Sequence, residues 1–159
     1  MEIDIKKAKK EDYYSFLEIL EESEEKHRLG VPWRYKKPES EFFTKNDFEK
    51  MIKDQNCNFL IAKEDEKVLG YIIAYKKEIS ETSILKPRKY IFINDLAVKD
   101  NYKRQGVGSL LMEKIEEWAR EIKINEIELN VWFFNKEAFS FYEERGYKVF
   151  TQEMRKVII

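Results

Sequence analysis

The stretch from Asn94 to Leu111 reads Asn-Asp-Leu-Ala-Val-Lys-Asp-Asn-Tyr-Lys-Arg-Gln-Gly-Val-Gly-Ser-Leu-Leu. It passes from an apolar, strand-like run through a polar loop into a helical pattern, and Gly106 and Gly108 stand where that helix begins. Glycine leaves the backbone accessible, and the first helical turn presents unpaired N–H groups and the positive end of the helix dipole. The stretch therefore predicts an anion site for phosphate or pyrophosphate. The alternative is a loop in which the glycines only turn the chain.

Two common phosphate-binding motifs are excluded in this stretch. A P-loop needs Gly-Lys-Ser or Gly-Lys-Thr, which is absent, and the third glycine of Gly-x-Gly-x-x-Gly is replaced by Leu111. The basic residues Lys103 and Arg104 beside the glycines favour anion binding over a plain turn.

The composition is that of a globular protein with a heavily charged surface. The length of 159 residues predicts a single domain spanning residues 1–159. Hydrophobic residues make up 43% and charged residues 38%, which is enough apolar content for a core and argues against disorder. The 30 basic and 31 acidic residues are mixed along the chain, so we expect neither nucleic-acid nor membrane binding.

The cysteine content and the start of the chain bear on its location. Cys57 is the only cysteine, which excludes an internal disulfide and suits a reducing compartment. The charged start resembles no signal peptide, and no apolar run is long enough to span a membrane. We therefore expect a soluble, cytoplasmic protein.

Apolar periodicity predicts elements in the order β-α-α-β-β-β-α-β-α-β, a mixed α/β fold class. Thr44 and Asp47 have the spacing of a capping box, and Asn135 has the character of a helix N-cap. The predicted ranges are a strand at 3–5, helices at about 11–26 and 44–52, a hairpin of 58–64 and 67–77, a strand at 90–98, a helix at 107–122, a strand at 127–131, a helix at 136–145 and one or two strands in 147–159.

Three motifs then follow one another along the chain. A strand ending in Leu-Ala-Val at 96–98 precedes Tyr-Lys-Arg-Gln-Gly-Val-Gly at 102–108, Leu-Asn-Val at 129–131 precedes Asn135, and Ala-Phe-Ser-Phe-Tyr-Glu-Glu-Arg-Gly-Tyr occupies 138–147. In this order and spacing the chain resembles the GNAT superfamily of acyl-CoA N-acyltransferases. One departure is Lys103, where the signature has Arg or Gln, and lysine gives up the bidentate geometry of arginine.

The resemblance implies a fold and an activity. The implied fold has a central, mostly antiparallel mixed sheet of six to seven strands, about four helices, and two parallel strands that splay apart. The implied reaction is transfer of an acetyl group from acetyl-CoA to a primary amine of an unidentified acceptor: a polyamine, amino acid or aminoglycoside, or a peptide or protein amine. The alternative is a non-catalytic acyl-CoA-binding or regulatory module, and a third option is another acyl group. The resemblance implies no metal.

The donor site implied by the resemblance combines backbone and side-chain groups. The pyrophosphate is expected on the backbone amides of 104–109, and the pantetheine arm on the backbone of 96–98 and the Asn135 amide. The residues expected to bind the donor are Leu96, Ala97, Val98, Lys103, Arg104, Gln105, Gly106, Val107, Gly108, Ser109, Asn135 and Tyr142.

The resemblance also implies catalytic roles. Tyr142 is expected to be the general acid for the departing thiolate, and the backbone N–H of Leu96 the oxyanion donor. The base is less defined, because the positions where we expect a glutamate in the family hold residues that cannot take a proton: Phe92, Asn94 and Asn130. Asp95, the only acid near the end of that strand, is the candidate base. Water alone, or a partly desolvated substrate, is the alternative.

Several features outside these motifs remain open. We expect the only histidine, His27, to be solvated or to cap a helix rather than to act in catalysis. The acidic run Glu21, Glu22, Glu24 and Glu25 forms either a solvated face or, if it lines the acceptor pocket, a site that favours polycations. Trp33 and Tyr35 either line a pocket mouth or cover the core. Many relatives that resemble this chain are homodimers, which makes a homodimer an expectation here.

Overall fold

The computed structural model describes residues 2–159. Within this range the chain forms five strands and four α-helices, joined in places by short 3-10 turns. In chain order they are β1 (Asp4–Lys7), α1 (Tyr13–Gly30), α2 (Lys45–Lys53), β2 (Cys57–Glu64), β3 (Lys67–Ile79), β4 (Arg88–Val98), α3 (Val107–Glu121), β5 (Ile127–Leu129) and α4 (Lys136–Glu144).

The strands form one mixed sheet in the order β1-β2-β3-β4-β5. All neighbouring pairs are antiparallel except β4 and β5, which are parallel. The predicted mixed α/β class, with a mostly antiparallel sheet, one parallel pair and four helices, is therefore confirmed.

The predicted number of six to seven strands is wrong, because the sheet has five. The prediction of one or two strands in 147–159 accounts for the difference: this segment forms no strand, and every residue from 148 to 159 is exposed. Apolar residues show that a segment is able to pair, but they do not show whether it lies against a sheet edge in the folded chain. Within residues 2–159 no edge pairs with this segment.

A separate apolar core packs on each face of the sheet. On one face, α3 buries Leu111, Met112 and Ile115 against the strands. On the other face, α1 and α2 bury an aromatic group around Phe16 and Phe48. The side chains of successive strand residues point to opposite faces, so β2 and β3 supply both cores.

Side-chain contacts explain where α2 begins and how α1 ends. Thr44 Oγ1 accepts a hydrogen bond from the Asp47 N–H at 3.1 Å, and Asp47 Oδ2 accepts from the Thr44 N–H at 3.0 Å, so the predicted capping box of α2 is confirmed. Helix α1 extends to Gly30, beyond the predicted end near residue 26. The ring of Phe134 lies 2.5 Å from where a Cβ of Gly30 would stand, so only glycine lets this ring pack on the helix end.

Candidate active site

The entrance to α3 has the features of an anion site. Gly106 precedes the helix with φ of +86°, a left-handed conformation that glycine adopts without strain, and no atom lies within 4 Å of where its Cβ would be. The Leu110 N–H donates to the Gly106 carbonyl at 3.0 Å, and no side chain caps the helix. The N–H groups of Val107, Gly108 and Ser109 thus lie at an uncapped helix start beside open space.

The basic side chains of the preceding loop are held by acidic partners. Lys103 Nζ lies 3.0 Å from Asp100 Oδ1, and Arg104 Nε lies 3.6 Å from Glu137 Oε1. Glu137 belongs to the first turn of α4, so these contacts bring α4 to the loop. The Gln105 side chain turns back and donates to the Asn101 carbonyl at 2.9 Å. Both basic side chains thus lie at the rim of the helix start, each paired with a carboxylate.

Strand β4 has an open edge beside this helix start. It pairs with β5 only over Ile91–Ile93, whereas its pairing with β3 continues to Val98. The register of β3 and β4 shifts around Asn94, which stands exposed at this irregularity. Bulges bend a strand and end its pairing. Beyond Asn94, the backbone of Leu96, Ala97 and Val98 has no strand partner within residues 2–159 on the side of β5.

Asn135 is the N-cap of helix α4, as predicted from its residue type. Asn135 Oδ1 accepts a hydrogen bond from the Ala138 N–H at 3.1 Å. The Cβ position of Gly108 lies 3.5 Å from the ring of Phe141, so α4 packs directly on the first turn of α3. The residues predicted to bind the donor therefore come from three adjoining pieces: the end of β4, the start of α3 and helix α4.

Tyr142 lies half-buried on α4, with its ring against Phe141 and Tyr147 at centroid distances of 5.2 and 5.6 Å. Burial, with the nearby charge of Asp95 and the neighbouring Tyr147, raises the pKa of Tyr142 well above its usual range. The phenol is therefore protonated at neutral pH, which is the state that a general acid needs.

Asp95 lies one residue after the bulge, and its carboxylate is bonded inside the protein. Asp95 Oδ2 accepts a hydrogen bond of 2.5 Å from the hydroxyl of Tyr71, a fully buried residue of β3. Burial raises the pKa of Asp95, although the hydrogen bond from Tyr71 opposes the shift. The sequence placed this acid at a strand end, but only the structure shows its partner.

His27 lies in the last turn of α1, among partners that sequence reasoning missed. Its Nδ1 lies 3.6 Å from Glu24 Oε1, and its ring packs near those of Tyr35 and Phe134 at 5.9 and 6.2 Å. The Glu24 contact raises the pKa of His27, burial opposes this, and the negative charge of Asp95 adds to the increase. The side chain of His27 is 25% exposed, so it is partly solvated, and its expected non-catalytic role stays a prediction. No motif marks these contacts, because Phe134 comes from a distant segment of the chain.

The acidic run divides between two environments. Glu24 faces His27, whereas Glu21, Glu22 and Glu25 line a cavity of about 840 Å³ between α1 and residues 37–42. Neither Asp95 nor Tyr142 lines this cavity. Glu21 and Glu25 are exposed, so part of the run is a solvated face, and its role in binding a polycationic acceptor stays a prediction.

The two aromatic residues after α1 also differ from each other. Trp33 is 54% exposed and carries the guanidinium of Arg155 at 3.9 Å from its ring centroid, so it does not cover the core. Tyr35 packs against His27 and against Trp132 at 5.9 Å. Tyr35 therefore belongs to the surroundings of His27.

The described residues were compared with the requirements of a metal site and of a membrane-spanning helix, and they meet neither. Among residues 2–159, no three or more His, Cys, Asp or Glu side chains come together to hold a metal ion. None of the helices in this range is long and apolar enough to cross a membrane.

Comparison with known proteins gives a family and several relatives. The model of the acetyltransferase (GNAT) family matches residues 9–147. L-ornithine N5-acetyltransferase from Arabidopsis thaliana is 26% identical over 88 residues, which cover 55% of this chain and 37% of that protein. Thialysine N-epsilon-acetyltransferase from Bos taurus is 32% identical over 62 residues, which cover 39% of this chain and 36% of that protein. The chain thus spans well under half the length of these relatives.

Solved structures share the fold over the full length of the chain. A mutant of the BH1408 protein from Bacillus halodurans has a TM-score of 0.93 at 23% identity, covering 98% of this chain and 99% of that one. An aminoglycoside antibiotic 6'-N-acetyltransferase from Acinetobacter baumannii has a TM-score of 0.72 at 15% identity, covering 99% of each chain. At these identities the likeness is one of fold alone.

Proposed function

We propose that the protein, which belongs to the GNAT acetyltransferase family, transfers an acetyl group from acetyl-CoA to a primary amine. The observation that carries the proposal is the meeting of an uncapped helix start, an unpaired strand edge and a protonated tyrosine at one place. The helix start suits a pyrophosphate, and the strand edge suits the amide groups of a pantetheine arm. The tyrosine suits protonation of a departing thiolate.

The residues present fit a coenzyme A thioester. The N–H groups at Val107, Gly108 and Ser109 supply donors for phosphate oxygens, and the ion-paired Lys103 and Arg104 lie beside them. The backbone of Leu96, Ala97 and Val98 has no partner on the side of β5, so it offers the pairing that a strand would make. The side-chain oxygen of Asn135 caps α4, and its side-chain nitrogen is not used in that cap. Gln105 contributes by holding the loop to the Asn101 carbonyl.

The proposed chemistry is direct attack of a neutral amine on the thioester carbonyl. Asp95 receives the proton of the acceptor ammonium, since its raised pKa makes it a better base than an exposed aspartate. The Leu96 N–H donates to the oxygen that becomes negative during attack. Tyr142 then protonates the leaving thiolate. Burial raises the pKa of this phenol, and a thiolate formed in the same surroundings is subject to the same desolvation.

We propose that the acceptor is a small cationic amine such as a diamine or a basic amino acid. The carboxylate of Glu24 faces His27 on α1, and the rings of Tyr35 and Phe134 give an apolar wall beside it. Such a site favours an ammonium group on an aliphatic stem. The names of the relatives that act on ornithine and thialysine support the same class.

The test is acetyl transfer with purified protein. Acetyl-CoA is incubated with L-ornithine, L-lysine, spermidine, an aminoglycoside and a peptide, and free thiol is followed together with the mass of each acceptor. We expect thiol release and an acetylated product with at least one small diamine or basic amino acid. Coenzyme A binding without release of thiol with any acceptor would favour the non-catalytic module instead. Butyryl-CoA in parallel tests the choice of acyl group.

We also propose that two copies of the protein form a homodimer through the C-terminal segment. We further propose that residues 1–159 form one domain and that the protein is cytoplasmic. Support for the dimer comes from the exposed residues 148–159 and from the edge of β5, which no strand in residues 2–159 pairs on the side away from β4. An unpaired edge and an exposed apolar segment are each suited to pairing with another chain.

The support for a cytoplasmic location is the lone Cys57, which suits a reducing compartment.

A further inference from the structure

Two ion pairs tie the loop before α3 to helix α1. Lys99 Nζ lies 2.9 Å from Glu18 Oε2, and Lys26 Nζ pairs with Asp100 Oδ1. Residues eight positions apart lie on the same side of a helix, so Glu18 and Lys26 face the loop together. Helix α1 therefore runs beside the loop that leads to the proposed anion site.

Asp100 connects Lys26 to Lys103, the residue that stands where the family signature has Arg or Gln. Lys103 Nζ lies 3.0 Å from the same Asp100 oxygen that pairs with Lys26, so both ammonium groups converge on one carboxylate. Two ammonium groups around one carboxylate leave one positive charge in excess. An anion that reaches Lys103 therefore also comes close to Lys26.

Helix α4 adds one more carboxylate to these contacts. Lys103 Nζ lies 3.8 Å from Glu137 Oε2, and Arg104 Nε lies 3.6 Å from Glu137 Oε1. The side chains joined in this way form a group that we call the rim cluster: Lys26, Asp100, Lys103, Arg104 and Glu137. Three members are positive and two are negative, so the cluster has a formal charge of +1 beside the positive end of the α3 dipole.

The rim cluster lies at the surface. The side chain of Lys26 is 44% exposed and that of Asp100 is 55% exposed. Exposed ion pairs contribute little to folding stability, because water and salt screen their charges. The excess positive charge of the cluster is therefore available to a ligand, and its loss should leave the fold intact.

We propose that Lys26 is a further donor-binding residue, which supplies the excess positive charge that attracts the phosphate groups of the coenzyme A thioester. Asp100 and Glu137 partly neutralise the rim cluster and so limit this attraction. The inference rests on the proposed acetyl transfer for the identity of the ligand. It adds a residue of α1 that lies outside the glycine-bearing motif.

Calorimetric titration with coenzyme A at an ionic strength of about 0.01 M tests the proposal without turnover. Lys26→Gln makes the rim cluster formally neutral, so we expect the affinity for coenzyme A to fall about fivefold to tenfold. Asp100→Asn adds one positive charge to the cluster, so we expect the affinity to rise by a similar factor. The double variant has the wild-type formal charge and should bind almost as the wild type does. In about 1 M salt all these differences should shrink, because the charges are screened.

Lys6 and Asp4 on β1 provide a matched control. They form an ion pair of 2.8 Å with side chains that are 57% and 59% exposed, at the edge of the sheet opposite β5. Lys6→Gln and Asp4→Asn change the net charge of the protein as Lys26→Gln and Asp100→Asn do, and we expect both to bind coenzyme A as the wild type does. The urea midpoints of Lys26→Gln and Lys6→Gln should both stay close to the wild-type value.

The outcomes separate this inference from the proposed function. An affinity of Lys26→Gln equal to the wild-type value, or a loss that Lys6→Gln shares, would overturn the role of Lys26. Weaker binding by Asp100→Asn would overturn the charge argument, because Asp100 would then be needed to hold the lysines in place. A wild-type protein that binds no coenzyme A would refute the donor assignment itself.

Dephospho-coenzyme A, titrated in parallel, identifies the phosphate that Lys26 attracts. If Lys26→Gln weakens the binding of both ligands by the same factor, the partner is the pyrophosphate. If it weakens the binding of coenzyme A alone, the partner is the 3′-phosphate.

Discussion

At the residue scale, the position of Tyr142 against Tyr147 allows a matched test of the proposed acid. Both phenols are partly buried, and their rings are 5.6 Å apart. Tyr142→Phe removes the proposed proton donor and keeps the ring, so we expect kcat to fall by about 10²-fold with coenzyme A binding retained. Tyr147→Phe should keep most of the activity. Steady-state kinetics and calorimetric titration with coenzyme A measure the two effects, and equal losses in both variants would remove the role assigned to Tyr142.

A second prediction at this scale separates activity from stability at Asp95. Its pKa is raised by burial in the folded state, so the ionised carboxylate disfavours folding at every pH above the folded pKa, and protonation removes the penalty. The side-chain amide that Asp95→Asn introduces has no charge to bury and can still accept from Tyr71. We therefore expect the variant to lose activity and to gain free energy of unfolding relative to the wild type as pH rises through that pKa.

Urea denaturation of the wild type and Asp95→Asn at several pH values provides the measurement. The stability difference should grow as the pH rises from about 3.8, the ordinary pKa of an aspartate, to the raised pKa of folded Asp95, and should then level off. A variant that is less stable than the wild type at neutral pH would mean that the ionised carboxylate contributes to folding, contrary to the raised pKa.

At the element scale, the two glycines at the start of α3 have different roles. Gly106 has φ of +86°, where an alanine is strained, whereas Gly108 lies inside the helix with room for a methyl group at 3.5 Å from Phe141. Gly106→Ala should cost about 1 kcal/mol of unfolding free energy. Gly108→Ala should leave stability unchanged or raise it by up to about 1 kcal/mol, because alanine is the better helix former.

Thermal or urea unfolding of both variants checks this pair. We expect Gly106→Ala to lower the free energy of unfolding, and we expect Gly108→Ala to leave it unchanged or to raise it. A Gly106→Ala variant as stable as the wild type would mean that the loop relaxes without strain, and the geometry of the proposed anion site would then depend less on this residue.

The elements themselves were largely predictable, because they follow from local pattern. The capping box at Thr44 and the N-cap at Asn135 mark their helices through side-chain bonds to nearby backbone groups, which sequence spacing reveals. The end of α1 was not predictable in the same way. Gly30 is the last residue of α1 but lacks the left-handed φ of a usual glycine cap, and it makes room for Phe134, a residue more than one hundred positions away.

At the scale of the whole molecule, the exposed C-terminal segment gives a prediction about assembly. Residues 148–159 carry six exposed large apolar side chains: Val149, Phe150, Met154, Val157, Ile158 and Ile159. If this segment joins two copies, Phe150→Asp should convert the dimer to a monomer, since a buried charge opposes association. Light scattering after size-exclusion chromatography gives the mass, with Leu29→Gln as the surface control. A wild-type protein that is monomeric at high concentration would refute the dimer.

Local patterns along the chain were enough to establish the mixed α/β class, the order of the elements, the glycine-bearing helix start and the family. The number of paired strands and the partners of Asp95, in contrast, became known only from the folded chain. Tyr71 meets Asp95 only when β3 pairs with β4, and His27 meets Phe134 only when the segment after β5 packs on α1. Contacts between distant segments leave no spacing in the sequence, so these partners could be known only from the tertiary arrangement.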